Sequence, residues 1–265
     1  MAADYLESTL LRAAGFRHAF FTRRGGASSG AYSSLNFSVS VGDEPGLVEE
    51  NYSRAGQVLG VPGARIAVLS QVHGNRAVVL DESDAAKADL RSATLEQEGD
   101  ALLTRVPGVA CAVRTADCVP ILVADRQSGA VSAIHAGWRG IVRGVVEAAV
   151  DGLRQLAGGR SDLIAAIGPH IGLAAFETGD DVAEELEKSS GAVGAVLRTE
   201  GQKPRVALAR IVRAQLEAAG ISRTQIDELA GCTLSDPERF FSYRRDGKRS
   251  GRHLSAIVPR SAAAP

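Results

Sequence analysis

Apolar residues in the middle of the chain come in short unbroken runs, at 109–114, 120–124 and 130–134, with turn residues between them. Runs of this length suit strands buried on both faces. Asp125-Arg126-Gln127-Ser128-Gly129, between the last two runs, is turn chemistry and predicts a hairpin. Residues whose numbers sum to about 254 then face one another, which brings Cys118 and His135 within side-chain reach at the open end. After Gly140 the pattern changes. Ile141, Val142, Val145, Val146, Ala149, Leu153 and Leu156 recur at helical spacing, predicting one helix from near Gly140 to Ala157-Gly158-Gly159. A strand over 163–167 follows and ends in Gly168-Pro169-His170. Further helices are predicted at 180–188, acidic at its start, and at 206–219, stopped by Gly220.

The Gly- and Ser-rich stretch 25–34 runs directly into Leu35-Asn36-Phe37-Ser38-Val39-Ser40-Val41, so it reads as an ordered loop between strands. Residues 81–99 and 189–204 read as surface excursions, and 261–265 as a loose tail. No repeat or domain break interrupts the pattern. The expectation is a single domain over residues 1–265. Strands and helices mix without strict βαβ alternation, which predicts an α+β fold with mixed β-sheets flanked by helices.

Composition narrows the function classes. A net charge of -1, from 30 basic and 31 acidic residues, gives no electrostatic reason for a nucleic-acid or anionic-membrane partner. Three widely spaced cysteines do not make a disulfide framework and suit a reducing compartment. The first residues lack a basic segment followed by an apolar one, and no apolar run approaches the ~18–20 residues of a membrane span. The expectation is a cytoplasmic protein, with its state, monomer or small homo-oligomer, left open.

Candidate chemistry lies in the scarce residues. The chain has five histidines, and three segments end apolar runs with a metal-capable side chain: Gln71-Val72-His73-Gly74, Ala116-Asp117-Cys118 and His135-Ala136-Gly137-Trp138-Arg139-Gly140. Two histidines and one cysteine are the protein ligands of some catalytic zinc centres, which keep a further position open. Each residue also has a plain structural reading: a hydrogen-bonded strand end for His73, and a small buried hydrophobe for Cys118. Asp100 and Asp117 are candidates for orienting a ligand or for acid–base work, or simple turn caps. Arg139, just before the predicted helix, is a candidate anion contact, as are the arginine-plus-glycine loops containing Arg24 and Arg244. His170 reads as a proton donor or a spare ligand, or as a plain turn histidine. His18 and His253 read as structural or surface residues. No P-loop or dinucleotide fingerprint is present.

The ordered motifs Thr22-Arg23-Arg24-Gly25-Gly26, Ser34-Leu35-Asn36, Gln71-Val72-His73-Gly74, Gly99-Asp100-Ala101, Ala116-Asp117-Cys118-Val119-Pro120, His135-Ala136-Gly137-Trp138-Arg139-Gly140, Ile167-Gly168-Pro169 and Phe240-Phe241-Ser242-Tyr243-Arg244-Arg245-Asp246-Gly247 resemble the YfiH-type family. Its members are labelled multicopper polyphenol oxidases (laccase domain) or purine nucleoside phosphorylases. The resemblance implies a metal, usually zinc, on His73, Cys118 and His135. It implies phosphorolysis of adenosine, inosine and methylthioadenosine, and hydrolytic deamination of adenosine. It also implies a fold similar to that of the bacterial toxins and chemotaxis proteins that deamidate glutamine with a Cys–His pair. On this basis Cys118, His135, Asp100, Arg139 and His170 are the expected catalytic residues. Arg24, Asn36, Arg139 and Arg244 are the expected substrate contacts, with purine nucleosides and phosphate as substrates. Where many members carry Gly-Pro-Cys-Ile-Gly-Pro-Cys-Cys-Tyr-Glu, this chain has Gly168-Pro169-His170-Ile171-Gly172-Leu173-Ala174-Ala175-Phe176-Glu177, so roles of those cysteines do not transfer.

Two alternatives use the same atoms. Copper can enter a two-His, one-Cys site and give weak phenol oxidation. Five histidines without a His-X-His pair do not supply a laccase copper cluster. Cys118 activated by His135 would instead make a cysteine hydrolase or deamidase, a role that tight zinc coordination opposes. A pure binding module leaves the clustered soft ligands without a purpose.

Overall fold

The computed structural model describes residues 2–260. Two mixed sheets form its centre. The first runs in the order β1 (Tyr5–Leu6), β2 (His18–Phe21), β13 (His253–Ile257), β6 (Ala110–Thr115) and β3 (Ile66–Ala67). The second runs β12 (Ile226–Glu228), β9 (Leu163–Ile167), β7 (Val119–Asp125), β8 (Val131–Ala136), β5 (Ala101–Thr104) and β4 (Ala77–Leu80). A separate two-stranded ribbon joins β10 (Val196–Leu197) to β11 (Arg205–Val206). The α+β class with mixed sheets is as the sequence predicts.

Strand alternation builds the layers. On β7, Leu122 and Ala124 face the first sheet, meeting Phe20, Cys111, Val113 and Ile257 in a core between the sheets. Its other face, Val119, Ile121 and Val123, packs under the helices α6 (Val145–Leu156), α7 (Asp180–Lys188) and α8 (Leu208–Ala218). The outer face of the first sheet, with Phe21, Ala110, Ala112 and Leu254, is covered by α2 (Pro45–Leu59). The order helix, sheet, sheet, helices buries both faces of each sheet, which is why the central strands read as unbroken apolar runs. Each fully buried Leu, Ile or Phe contributes about 1.5–3 kcal/mol of transfer free energy. Short α1 (Thr9–Ala13) is capped by the Ser8 hydroxyl and packs beside β9.

Several sequence expectations are corrected. Residues 81–99 are a largely exposed excursion but an ordered one: they form α3 (Glu82–Ala85) and α4 (Leu90–Leu95), and Leu90, Arg91 and Thr94 are buried. The acidic residues that suggested a loop include the two helix caps, Asp81 and Asp89. Residues 35–41 are not a strand. The Asn36 side chain bonds Ser38, Asp43 and the Arg252 amide, and this local bonding replaces a β ladder. The helix expected from Gly140 is two helices, α5 (Trp138–Val142) and α6, broken where Gly144 takes φ 81°. The hairpin pairs Pro120 with His135, one step off the predicted register, because Asp125 and Ala130 close a turn of four residues. The expected loose tail at 261–265 lies outside the described residues.

Candidate metal centre

The chain passes from one sheet to the other in three residues, Ala116-Asp117-Cys118, between the ends of β6 and β7. Asp117 makes that step possible with φ 88°, a conformation side-chain-bearing residues rarely adopt. Its carboxylate is fully engaged: the Thr233 hydroxyl and the Arg244 amide each donate to it at 2.6 Å. Among the described residues the other non-glycine with positive φ is His73, at 57°. Both strained positions adjoin the candidate ligands, where such strain tends to concentrate.

His73 sits in the loop after β3, so it is not the strand end the sequence suggested. Two side chains fix that loop. The Gln71 amide group exchanges a pair of 2.8 Å hydrogen bonds with the backbone of Arg114 on β6. Asp100, wholly buried, accepts the backbone N–H groups of Val72, His73 and Gly74 at 3.3, 3.0 and 2.6 Å. Its Oδ1 also accepts Nδ1–H of His135 at 2.8 Å. The Asp100 bond assigns a proton to Nδ1, so the neutral form of His135 presents the lone pair of Nε2, the orientation that carboxylates impose on metal-bound histidines, and a metal would take the place of the Nε2 proton.

The donors converge. Cys118 Sγ lies 3.9 Å from His73 Nε2, and the two imidazole rings stand 4.7 Å apart at 78°. One donor atom from each of His73, Cys118 and His135 falls within 4.8 Å of the others. Gly137 leaves the space they need, since a Cβ there would lie 2.7 Å from His73 and 3.1 Å from Cys118 Sγ. Two imidazole nitrogens and one sulfur, one imidazole locked by a carboxylate, fit a tetrahedral d-block ion with one position left for a substrate or water. Burial drives the Cys118 thiol up, but the His135 charge and hydrogen bonds from both histidines outweigh it and bring the pKa to about 6. Burial likewise opposes charge on His135, and the Cys118 thiolate together with Asp100 carries it up to about 9. Burial also works against the Asp100 charge; His135 and the backbone donors overcome it and hold this carboxyl below its usual range.

The three donors lie in the wall of a cavity of about 1070 Å³. Arg139 and Arg244 line it, both exposed. Arg139 is inside α5, whose five residues are too short to act as an anion-binding helix. Asp100 lies behind His135, away from the cavity lining. The remaining candidates are elsewhere. Arg24 is exposed and pairs with Glu238. Asn36 is fully buried in its own hydrogen-bond network. His170 lines a second cavity of about 970 Å³ beside Cys232, with Nδ1 bonded to the Gly168 carbonyl. His18 and His253, read as structural or surface residues, are buried and accept the amides of Ser8 and Phe241. Sequence reasoning missed Arg114 and Arg252, which line the first cavity from β6 and from the residue before β13. The available signal was an arginine closing the apolar run 109–114.

Fold and site together define a class: two-sheet α+β proteins with one His–Cys–His centre where the sheets meet. Residues 17–260 match the family described as "Multi-copper polyphenol oxidoreductase laccase", and the chain belongs to that family. It is 38% identical to a Deinococcus radiodurans protein named purine nucleoside phosphorylase, covering 92% of this chain and 89% of that one. It is 36% identical to the purine nucleoside phosphorylase YfiH of Escherichia coli, covering 89% and 90%. The crystal structure of YlmD from Geobacillus stearothermophilus superposes with a TM-score of 0.87 at 31% identity, covering 98% of this chain and all of that one. Among the described residues no helix is long and apolar enough to cross a membrane.

Proposed function

We propose that this chain is a metal-dependent purine nucleoside phosphorylase whose divalent ion, zinc, is held by His73, Cys118 and His135. The observation that carries this reading is the convergence of the three donors, one locked by Asp100, on the wall of an arginine-lined cavity. The names of the relatives supply the reaction class. Adenosine, inosine and methylthioadenosine are the proposed substrates, with deamination of adenosine as a second activity.

In phosphorolysis a phosphate oxygen bonds to C1′ of the ribose. The C1′–N9 bond breaks, its electron pair leaves with the base, and the base takes up a proton. The products are the purine and ribose 1-phosphate, or 5-methylthioribose 1-phosphate when methylthioadenosine is the substrate. When bound, the ion supplies a Lewis acid that polarises a substrate oxygen or nitrogen. Asp100 is a positioning residue, since it holds the His135 ring and the His73 backbone and does not line the cavity. Arg139 and Arg244, on the cavity wall, contact the nucleoside. Arg24, Asn36 and His170 have no direct part, because none of them lines this cavity.

Inosine plus phosphate, assayed before and after chelation, tests the reading. Hypoxanthine and ribose 1-phosphate form, formation stops on chelation, and zinc restores it. Undiminished turnover by metal-stripped protein would reject it.

A second reading is favoured by the low pKa of Cys118 beside His135, which suits a thiolate nucleophile of the cysteine hydrolase type. Copper on the same donors is the oxidase reading. Among the described residues a single cluster of three or more metal-capable side chains is present, which suits one ion and not a multicopper array.

A further inference from the structure

Arg114 and Arg252 share one face of the first sheet. Arg114 stands opposite Leu254 in the β6–β13 pairing, and Arg252 lies two residues before Leu254. Their side chains therefore leave the same face as diagonal neighbours, about 7–8 Å apart at the backbone, a span that long side chains bridge. Both line the cavity that holds the donor set, and both are half-buried.

Neutral acceptors hold the two guanidinium groups. Arg114 donates to the Leu69 carbonyl at 3.3 Å, and Arg252 to the carbonyls of Ser250 and Gly251 at 2.7 and 3.1 Å. Arg91, on the same cavity, is neutralised by Glu49. Among the described residues neither Arg114 nor Arg252 has such a carboxylate. Asp117, the acidic residue in the cavity wall, has both oxygens taken by Thr233 and the Arg244 amide.

The backbones beneath both arginines are fixed. The Gln71 side chain bonds both backbone groups of Arg114, and the Asn36 side chain accepts the Arg252 amide at 2.8 Å. Two half-buried cations side by side repel each other: burial first, and Arg114 with it, weakens the charged form of Arg252, while the charges of Cys118, Tyr243 and Asp117 support it only in part. With no carboxylate among the described residues ion-paired to either guanidinium, the pair has donor capacity left for an added anion. Paired guanidinium forks match a tetrahedral oxyanion, which offers several acceptor oxygens at once.

We infer that Arg114 and Arg252 form the site that holds inorganic phosphate as the attacking co-substrate. This assignment rests on the phosphorylase reading for its function, though binding of phosphate is measurable without turnover. Asn36 then acts through Arg252, holding its backbone in place without touching substrate.

The test titrates inorganic phosphate into the zinc-loaded protein by calorimetry, with Arg114→Gln, Arg252→Gln, Arg252→Lys and Arg24→Gln as variants. Wild type and Arg24→Gln bind phosphate alike. The two Gln variants lose about tenfold or more in affinity, while Arg252→Lys, which keeps the charge and guards against a folding artefact, loses less. In the inosine assay the Gln variants raise KM for phosphate by about tenfold and KM for inosine by less than about threefold. Phosphate affinity unchanged in both Gln variants would overturn the assignment. So would a wild type that binds a purine 5′-monophosphate through this pair but no free phosphate, since the pair would then hold a phosphoryl group of the substrate. If phosphate binds and the Gln variants abolish binding, yet no phosphorolysis occurs, the phosphate site stands while its co-substrate role falls with the activity reading.

Discussion

Asp100 and His135 grip each other twice, once through the carboxylate and Nδ1–H at 2.8 Å and once through the Asp100 carbonyl and the His135 amide at 2.7 Å. The backbone bond fixes the strand and the side-chain bond fixes the ring, so the imidazole can neither slide nor flip. The same carboxylate collects three amides from the His73 loop. One residue thus ties together two of the three donors.

Asp100→Asn keeps the shape but offers one acceptor oxygen where four donors compete for two. The expected result is a loss of about 10–100-fold in zinc affinity, the usual effect of removing a carboxylate behind a ligating histidine. Competition with a chromophoric chelator measures it. Unchanged affinity would mean that Asp100 serves the loop alone.

Gly137→Ala places a methyl group 2.7 Å from the His73 ring and 3.1 Å from Cys118 Sγ. The backbone there has φ -74°, so the substitution introduces no conformational strain of its own. Turnover is expected to fall by about 100-fold, since displacement of roughly 1 Å at a reacting site costs that much. Overpacking of this buried site costs about 1–3 kcal/mol as well, so thermal melting should fall by a few degrees while the fold persists. Wild-type turnover in this variant would show that the donors are not as closely packed as the structure has them.

His253 supplies a pH dependence. Its ring is buried, and burial first, with the neighbouring arginines, lowers its pKa to about 3. An exposed histidine titrates near 6.5. Above pH ~6.5 both folded and unfolded chains hold this ring neutral and its contribution is complete. Between ~6.5 and ~3 the unfolded chain takes up a proton that the folded chain refuses, so stability falls with pH by up to about 1.4 kcal/mol per unit. His253→Gln retains an acceptor for the Phe241 amide and lacks that proton. Urea melts of wild type and variant from pH 7 to 4.5 should show the smaller slope in the variant; equal slopes would contradict a neutral buried His253.

The sequence carried the parts of this picture that depend on local periodicity. The apolar runs of β6, β7 and β8 and the acidic start of α7 are readable because burial on both faces and helix-end electrostatics leave their mark within a few residues. The clustering of His73, Cys118 and His135 was readable because histidine and cysteine are scarce and stand at run ends. What failed depends on tertiary context. The break at Gly144 leaves the apolar spacing intact, and the hairpin register turns on a single bond between Asp125 and Ala130. Arg114 and Arg252 are 138 residues apart and become neighbours through β6–β13 pairing, which no local pattern announces. Asn36 and His170 carried plausible chemistry, but their surroundings in the fold turn one into a buried bracket and place the other on a different cavity.

The central claim is that His73, Cys118 and His135 jointly hold one ion. X-ray absorption at the metal edge of the zinc-loaded protein tests it most directly. One sulfur at about 2.3 Å and two imidazole nitrogens at about 2.0–2.1 Å are the predicted protein donors, with the sulfur lost in Cys118→Ala. A metal shell without sulfur, or protein that takes up no zinc at all, would contradict the account.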